Sequence, residues 1–424
     1  MTLKHGILFM SFGRGCGVMD YKQYRRCLIG LLLISLAGLG ILGYQEVRDG
    51  IPDSYTQTEG EPSPVHSNFF ITEEIIPGLT EASVNAYASE DYTIAYKLLG
   101  LIPLKEARVE VIKPAYVIPG GIPIGIYMET DGVLIIGTGE VMGMDGLNYE
   151  PAYRIVQRGD YIKAVNGQAV SDKEELIEAV NEGGNGDVIL DLDRGGEQIQ
   201  VKVEPVQTGR EEYKLGIWVR DNTQGIGTLT FLTEDGRFGA LGHGVNDVDT
   251  GMLLEISEGA LYDTNIVDIK KGEKGTPGEL SGLIRYRNEL ICGQLTENTP
   301  VGIFGTGEER IYKKFEPERL QVGYKQEIEL GEAFVRSAVS GEVKDYQVEI
   351  LEIHRKDEDM NKGIILKVTD PELLNLTGGI VQGMSGSPII QNGKLVGAVT
   401  HVFVQDSTKG FGVFIENMLE HVSL

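Results

Sequence analysis

Between Cys27 and Tyr44 the chain runs for 18 residues without a charge, CLIGLLLISLAGLGILGY. As a helix rising about 1.5 Å per residue, that run just spans the hydrocarbon core of a bilayer. Lys22, Arg25 and Arg26 precede it, and Glu46, Arg48 and Asp49 follow. The positive-inside rule keeps the N-terminus cytoplasmic and carries everything after Tyr44 to the far side. A cleaved signal peptide competes with this reading, because Ser35-Leu36-Ala37 offers a small-x-small pattern. The length of the span favours a retained anchor. Residues 1–18 read as dispensable, with Met19 as an alternative start. From Gln45 to about Ser67, polar composition with Pro52, Pro62 and Pro64 predicts a flexible stalk. The expected organisation is a cytoplasmic segment over 1–26, an anchor over 27–44 and a stalk and connecting segment over 45–106. Folded units are expected over 107–206 and 214–424.

Composition limits what those units do. Acidic side chains outnumber basic ones 63 to 38, a net charge of −25, so the chain repels phosphate backbones and is not a general nucleic-acid binder. With 57 glycines and only 7% aromatics, short strands joined by tight turns are expected rather than a helical bundle. Cys16, Cys27 and Cys292 are too few for a disulfide framework, and no CxxC or CxxH spacing occurs. No metal or cofactor is expected.

The first unit alternates apolar runs with turn signals. Arg108–Ile112, Ile124–Met128, Val133–Gly137, Tyr161–Val165, Val188–Leu192 and Ile199–Val203 read as strands. Asn166-Gly167 is a hairpin-type turn, and Ser171-Asp172-Lys173-Glu174 predicts a capping box opening a helix. This order, with Gly159-Asp160-Tyr161-Ile162 leading to Val165-Asn166-Gly167, resembles a PDZ domain. Ile124-Gly125-Ile126 resembles the end of that family's carboxylate-binding loop, where a peptide adds a strand to the sheet edge. Pro123 departs from the pattern by removing a donor. Ile124 and Ile126 read equally well as alternate strand residues filling a core.

The second unit is again strand-rich, with Asp235-Gly236 and Asn392-Gly393 as hairpin turns, and suits a sandwich or a pair of packed barrels. Its sharpest signal is Gly383-Met384-Ser385-Gly386-Ser387-Pro388. A serine nucleophile needs an exposed Oγ on a tight turn, with backbone N–H groups aimed at one point; those of Gly383 and Ser385 are the candidates for an oxyanion hole. The segment resembles the Gly-Asp-Ser-Gly-Gly-Pro turn of trypsin-like serine proteases, with Met384 and Ser387 as departures. A plain Gly/Ser loop is the alternative. For the general base, His5, His66, His354 and His421 are poorly placed, which leaves His243 and His401. His243 is preferred because Gly242 and Gly244 flank it, whereas His401 lies inside an apolar run. His243 with Asp247 and Asp249 is a weak metal pattern. Asp370, 15 residues before Ser385, is in order for the orienting carboxylate, yet Asp370-Pro371-Glu372 also reads as a helix N-cap.

An anchor, a PDZ-like unit, Gly242-His243-Gly244, Gly383–Pro388 and Gly397–Val404 together resemble the stage IV sporulation protein B family. The resemblance implies a mainly β protein: a transmembrane helix, a PDZ-like α+β domain and a β-rich trypsin-like peptidase domain. It implies a triad of His243, Asp370 and Ser385. It also implies export to the space between forespore and mother-cell membranes, self-cleavage, and cleavage of a membrane-bound regulator of an intramembrane protease, so that a late sigma factor is processed. Peptide segments, its own included, would engage the PDZ-like domain. The rival reading is a non-catalytic, membrane-tethered PDZ scaffold.

Overall fold

The structure, a computed structural model, describes residues 21–60, 70–76, 91–315, 318–355 and 359–422. The chain divides into two compact units, Met1–Ile112 and Lys113–Leu424.

In the first unit, a 30-residue helix, Tyr21–Gly50, buries none of its side chains and is long and apolar enough to cross a membrane. A four-stranded sheet follows, in the order Ser54–Thr58, Ile102–Ile112, Tyr92–Leu98, Ile71–Ile76. Ile94, Tyr96, Ala107 and Val109 form its core. The expected stalk and connecting segment is therefore corrected over its described residues. Alternation such as Tyr92, Ile94, Tyr96 gives the strand one buried face, and Thr93 and Lys97 lie half-buried on the other. Pro62, Pro64 and Ser67, like residues 1–18 and Met19, lie outside the described residues.

The second unit contains two closed antiparallel barrels. In the first, Pro123–Thr138 pairs with Ile217–Leu232, which pairs with Arg237–Ala240. Gly302–Gly307, Ile291–Thr299 and Ile256–Lys270 follow in turn, and the last returns to Pro123–Thr138. The second barrel closes in the same way through Gly331–Ser337, Lys344–Ile353, Ile364–Val368, Asp406–Phe414, Lys394–Phe403 and Pro388–Gln391. Lys344–Ile353 shows why these residues form barrel staves. Tyr346, Val348 and Ile350 point into the core while Gln347 and Glu349 face out, the period of a strand with one wet side. Asn392 and Gly393 both take positive φ, 52° and 76°, as a two-residue hairpin between adjacent strands requires.

Two of the first barrel's strands, Pro123–Thr138 and Ile217–Leu232, are 16 residues long and serve two sheets. Their far ends, Val133–Thr138 and Ile217–Arg220, join a sheet with Tyr161–Val165, Val188–Arg194 and Glu197–Val203. Register shifts at Trp218/Val219 and Arg220/Asn222 mark the passage from one sheet to the other. Helix Lys173–Gly183 buries Leu176, Ala179 and Val180 against this sheet. Its cap is Asp172, whose side chain accepts from Glu175 N–H, one residue later than the expected box at Ser171. Glu175 answers by accepting from Ser171 N–H at 2.8 Å.

This PDZ-like unit is corrected in extent. Its core runs from Val133 to Leu215, with Val219 packed against it, so it is inserted into the first barrel instead of preceding the peptidase domain as 107–206. Ile102–Ile112 belongs to the first unit's sheet, and the barrel begins well before residue 214. Local alternation reads alike for either sheet, so strand partners were not legible from pattern alone.

Candidate active site

Strand Arg237–Ala240 ends at Leu241 and Gly242, whose φ values of +68° and +69° turn the chain sharply at the barrel mouth. A side chain at 242 would crowd Val413 and Thr400, at 3.0 and 3.2 Å, so glycine lets this turn lie against the second barrel. His243 follows. Its Nδ1 sits 2.8 Å from the Gly244 carbonyl oxygen. That oxygen can only accept, so Nδ1 carries the proton and Nε2 keeps its lone pair. Burial lowers the His243 pKa from its usual range, against the opposing pull of that carbonyl, and keeps the ring neutral.

The serine turn rises from the other barrel. Gly383 and Gly386 adopt φ of +98° and +95°, bracketing Ser385. Met384, where trypsin-like proteases carry an acid, is wholly buried in the second core and pins the turn from beneath. Ser385 Oγ donates to the Thr400 carbonyl at 2.6 Å. The N–H groups of Gly383 and Ser385 have no hydrogen-bond partner among the described residues, as two donors awaiting an oxyanion would.

Thr228, absent from the sequence expectations, joins the two turns. Its N–H donates to the Ser385 carbonyl at 2.9 Å and its hydroxyl to the Gly383 carbonyl at 2.8 Å; its own carbonyl accepts from Leu241 N–H at 3.2 Å. A Cβ on Gly386 would lie 2.1 Å from the Thr228 carbonyl oxygen and 2.5 Å from Leu241 N, which shows how closely the barrels approach here. No local motif announces Thr228. Beside Gly383 a cleft of about 560 Å³ opens between Ile226, Leu280, Ile284, Tyr286 and Gln382.

His401, the second histidine candidate, stacks on His243 with ring centroids 4.7 Å apart. The residue is exposed to solvent. Even so, the protein packed around the ring, then His243 and Lys362, push its pKa down to about 4, against the opposing charge of Asp359.

Asp370 has no hydrogen bond to His243 among the described residues. Its Oδ1 accepts from Glu372 N–H at 2.8 Å and Leu373 N–H at 3.0 Å, capping helix Pro371–Thr377. In this structure the acceptor on His243 Nδ1 is a backbone carbonyl, and Asp370 serves as the N-cap its sequence context also allowed. Asp247 and Asp249, raised as metal ligands, both bind Arg220, at 2.6 and 2.7 Å.

The peptide-binding expectation is corrected too. Ile124 and Ile126 are 2% and 4% exposed inside the first barrel, and Gly125 pairs there with Ile226 and Tyr262. The PDZ-like groove lies between helix Lys173–Gly183 and the strand that starts at Ile217. It measures about 480 Å³ and is lined by Met142, Ile177, Val180, Leu215 and Trp218. The same apolar-Gly-apolar pattern recurs there as Leu215-Gly216-Ile217, with Gly216 at φ +65°. That recurrence was the available signal, and it fell at the start of the expected second unit, 214–424, outside the expected PDZ-like one.

Two six-stranded antiparallel barrels, with a serine turn from one meeting a neutral histidine turn from the other, define a serine peptidase of the trypsin-like type. Residues 211–419 match the family described as SpoIVB peptidase S55, and that part of the chain belongs to it. No curated protein matches. Among solved structures, the chain is similar to the PDZ domain of an SdrC-like protein from Listeria monocytogenes: 20% identity, 21% of this chain and 87% of that one, TM-score 0.17. It is also similar to the HtrA-type protease AlgW with tripeptide: 13% identity, 46% and 54% coverage, TM-score 0.28. A third is the active form of the Rv3671c protease of M. tuberculosis: 15% identity, 47% and 75% coverage, TM-score 0.29. The chain spans about half the length of the AlgW chain.

Proposed function

We propose that Ser385 is the nucleophile and His243 the general base of a membrane-anchored endopeptidase. Ser385 Oγ attacks a peptide carbonyl, and His243 Nε2 takes its proton and delivers it to the leaving amine. Water then hydrolyses the acyl-enzyme by the same route, and the N–H groups of Gly383 and Ser385 stabilise each oxyanion. The observation that supports this reading is the Nδ1–H bond of His243 to the Gly244 carbonyl, which leaves Nε2 as a proton acceptor on a turn that Thr228 ties to the serine turn.

The biological setting rests on family membership. The substrates proposed are the chain itself and a membrane-bound regulator of an intramembrane protease, cut between forespore and mother-cell membranes so that a late sigma factor is processed. Helix Tyr21–Gly50 would hold the enzyme at the membrane, and the Leu215–Val219 edge would receive an extended peptide, the chain's own segments included.

The test is a fluorophosphonate probe for activated serines, applied to the detergent-solubilised full chain and to its Ser385→Ala variant. Labelling that disappears in the variant supports the reading. Equal, negligible labelling of two folded proteins overturns it in favour of a binding scaffold.

A further inference from the structure

Beyond His243 the chain enters a loop, Val245–Glu255, that is fastened on two sides. On the barrel side, the Asn298 side chain accepts from Val245 N–H and donates to the Val245 and Leu254 carbonyls, each at 2.9 Å. On the other side the loop lies on the back of the PDZ-like sheet. Leu254 packs with Leu134 and Tyr161, and Glu255 N–H donates to the Tyr161 hydroxyl at 3.0 Å.

Between these fastenings lies Asp247, whose side chain is fully buried. Its Oδ1 accepts from the N–H groups of Asp249 and Thr250, at 3.0 and 2.7 Å, and shapes the loop. Its Oδ2 takes Arg220 Nη1 at 2.6 Å, while Arg220 Nη2 reaches Asp249 at 2.7 Å. A carboxylate in so dry a place is tolerated only while a cation faces it. That cation comes from outside the loop. Arg220 stands on the strand whose preceding residues, Ile217–Val219, form one wall of the PDZ-like groove.

We propose that Arg220 is a positioning residue for His243, acting through Asp247. Without the guanidinium, the Asp247 carboxylate reaches water by lifting the loop from the sheet. The loop follows directly on Gly244, whose carbonyl orients the imidazole, so the base loosens although Arg220 touches neither substrate nor imidazole. This inference rests on the reading of His243 as base and names a further part of that machinery.

The test compares fluorophosphonate labelling rates of the full chain between pH 5 and 9. The variants are Arg220→Met, Arg220→Lys and the double variant Arg220→Met with Asp247→Asn. Arg220→Met should label at least tenfold more slowly, with its acid limb displaced toward the ordinary histidine range as His243 becomes hydrated. Arg220→Lys keeps the charge and should recover part of the rate. The double variant removes the buried charge but keeps the Oδ1 acceptor; it should refold the loop and recover rate even if Arg220→Met alone is poorly folded. Wild-type rate and pH profile in folded Arg220→Met protein would overturn the proposal. A lowered melting temperature with an unmoved pH profile would do so as well, since it reports a structural tie alone. Failure of the wild type itself to label would instead remove the reading of Ser385 and His243, and this inference with it.

Discussion

The two turns that meet at the active site are held in different ways. The Ser385 turn is rooted in its own barrel: Met384 fills the core beneath it, Gly386 N–H donates to Val399 and Ser387 N–H to Met384. The His243 turn depends on several parties. Its strand ends in two positive-φ residues, Asn298 ties the following loop to the barrel, and the PDZ-like sheet carries the rest through Tyr161 and Arg220. The nucleophile's geometry is therefore carried chiefly by its own barrel, with Thr228 as a tie from the other, and the base's is distributed. Substitutions far from the chemistry should act through the base.

The largest effect tests whether the two turns form one site at all. Ser385→Ala and His243→Ala should each lower peptide turnover by about a thousandfold or more, and the double variant should lose little beyond either single one, because such groups act as a unit. Additive losses would separate them. Next comes the contrast between supports. Asn298→Leu leaves two backbone groups, Val245 N–H and the Leu254 carbonyl, unpaired, at about 1–3 kcal/mol each, so denaturant unfolding should show a loss of a few kcal/mol together with slower turnover. Thr228→Val removes a single hydroxyl bond, that to Gly383, and should lower kcat about tenfold while stability falls by about 1 kcal/mol. Equal penalties from the two would erase the distinction between a base held by several ties and a nucleophile held chiefly by its own barrel.

The pH dependence is a finer probe. Burial lowers the His243 pKa, so the base stays unprotonated on acidification until that lowered value is passed. The acid limb of kcat/KM should therefore lie below the ordinary histidine range near 6.5. His401, with a pKa of about 4, binds fewer protons folded than unfolded between those values. Its contribution to stability is complete above about pH 6.5 and is lost as the pH falls toward 4. The unfolding midpoint of wild type should fall relative to that of His401→Phe as the pH is lowered through that window. The smallest effect belongs to Asp370. Asn caps helices nearly as well as Asp, so Asp370→Asn should leave stability within about 1 kcal/mol and turnover within about threefold. A thousandfold loss of turnover in stable protein would bring this carboxylate to His243 in the working enzyme and undo the assignment of its role to a carbonyl.

Much of the site was legible in the sequence because its parts are turns, and turns carry local signatures. Gly383–Ser387 and Gly242-His243-Gly244 could be found from small residues around a reactive one, and Asn392-Gly393 from hairpin chemistry. What escaped notice depends on partners remote in the chain. Thr228 and Asn298 act through bonds to segments 155 and 53 residues away, and nothing beside them in sequence reveals those partners. Asp370 was legible as two things at once, a cap and a carboxylate in order, and only its hydrogen bonds distinguish them. Ile124 and Ile126 show the same ambiguity in a strand: alternation gives a face, while the choice of groove or barrel interior belongs to whichever strand pairs with it.

The two 16-residue strands carry a mechanical consequence. A ribbon built into a sheet at each end, and paired on both sides of the register shifts at Trp218/Val219 and Arg220/Asn222, behaves like a beam clamped at both supports. A twist imposed where a peptide would lie is passed along it to the barrel that bears the histidine. A fragment starting near residue 211 keeps one rail of that beam and discards the other, Pro123–Thr138, which is also one of the barrel's six staves. Such a fragment is a cask with a missing stave and should fail to hold together, however complete its complement of reactive side chains.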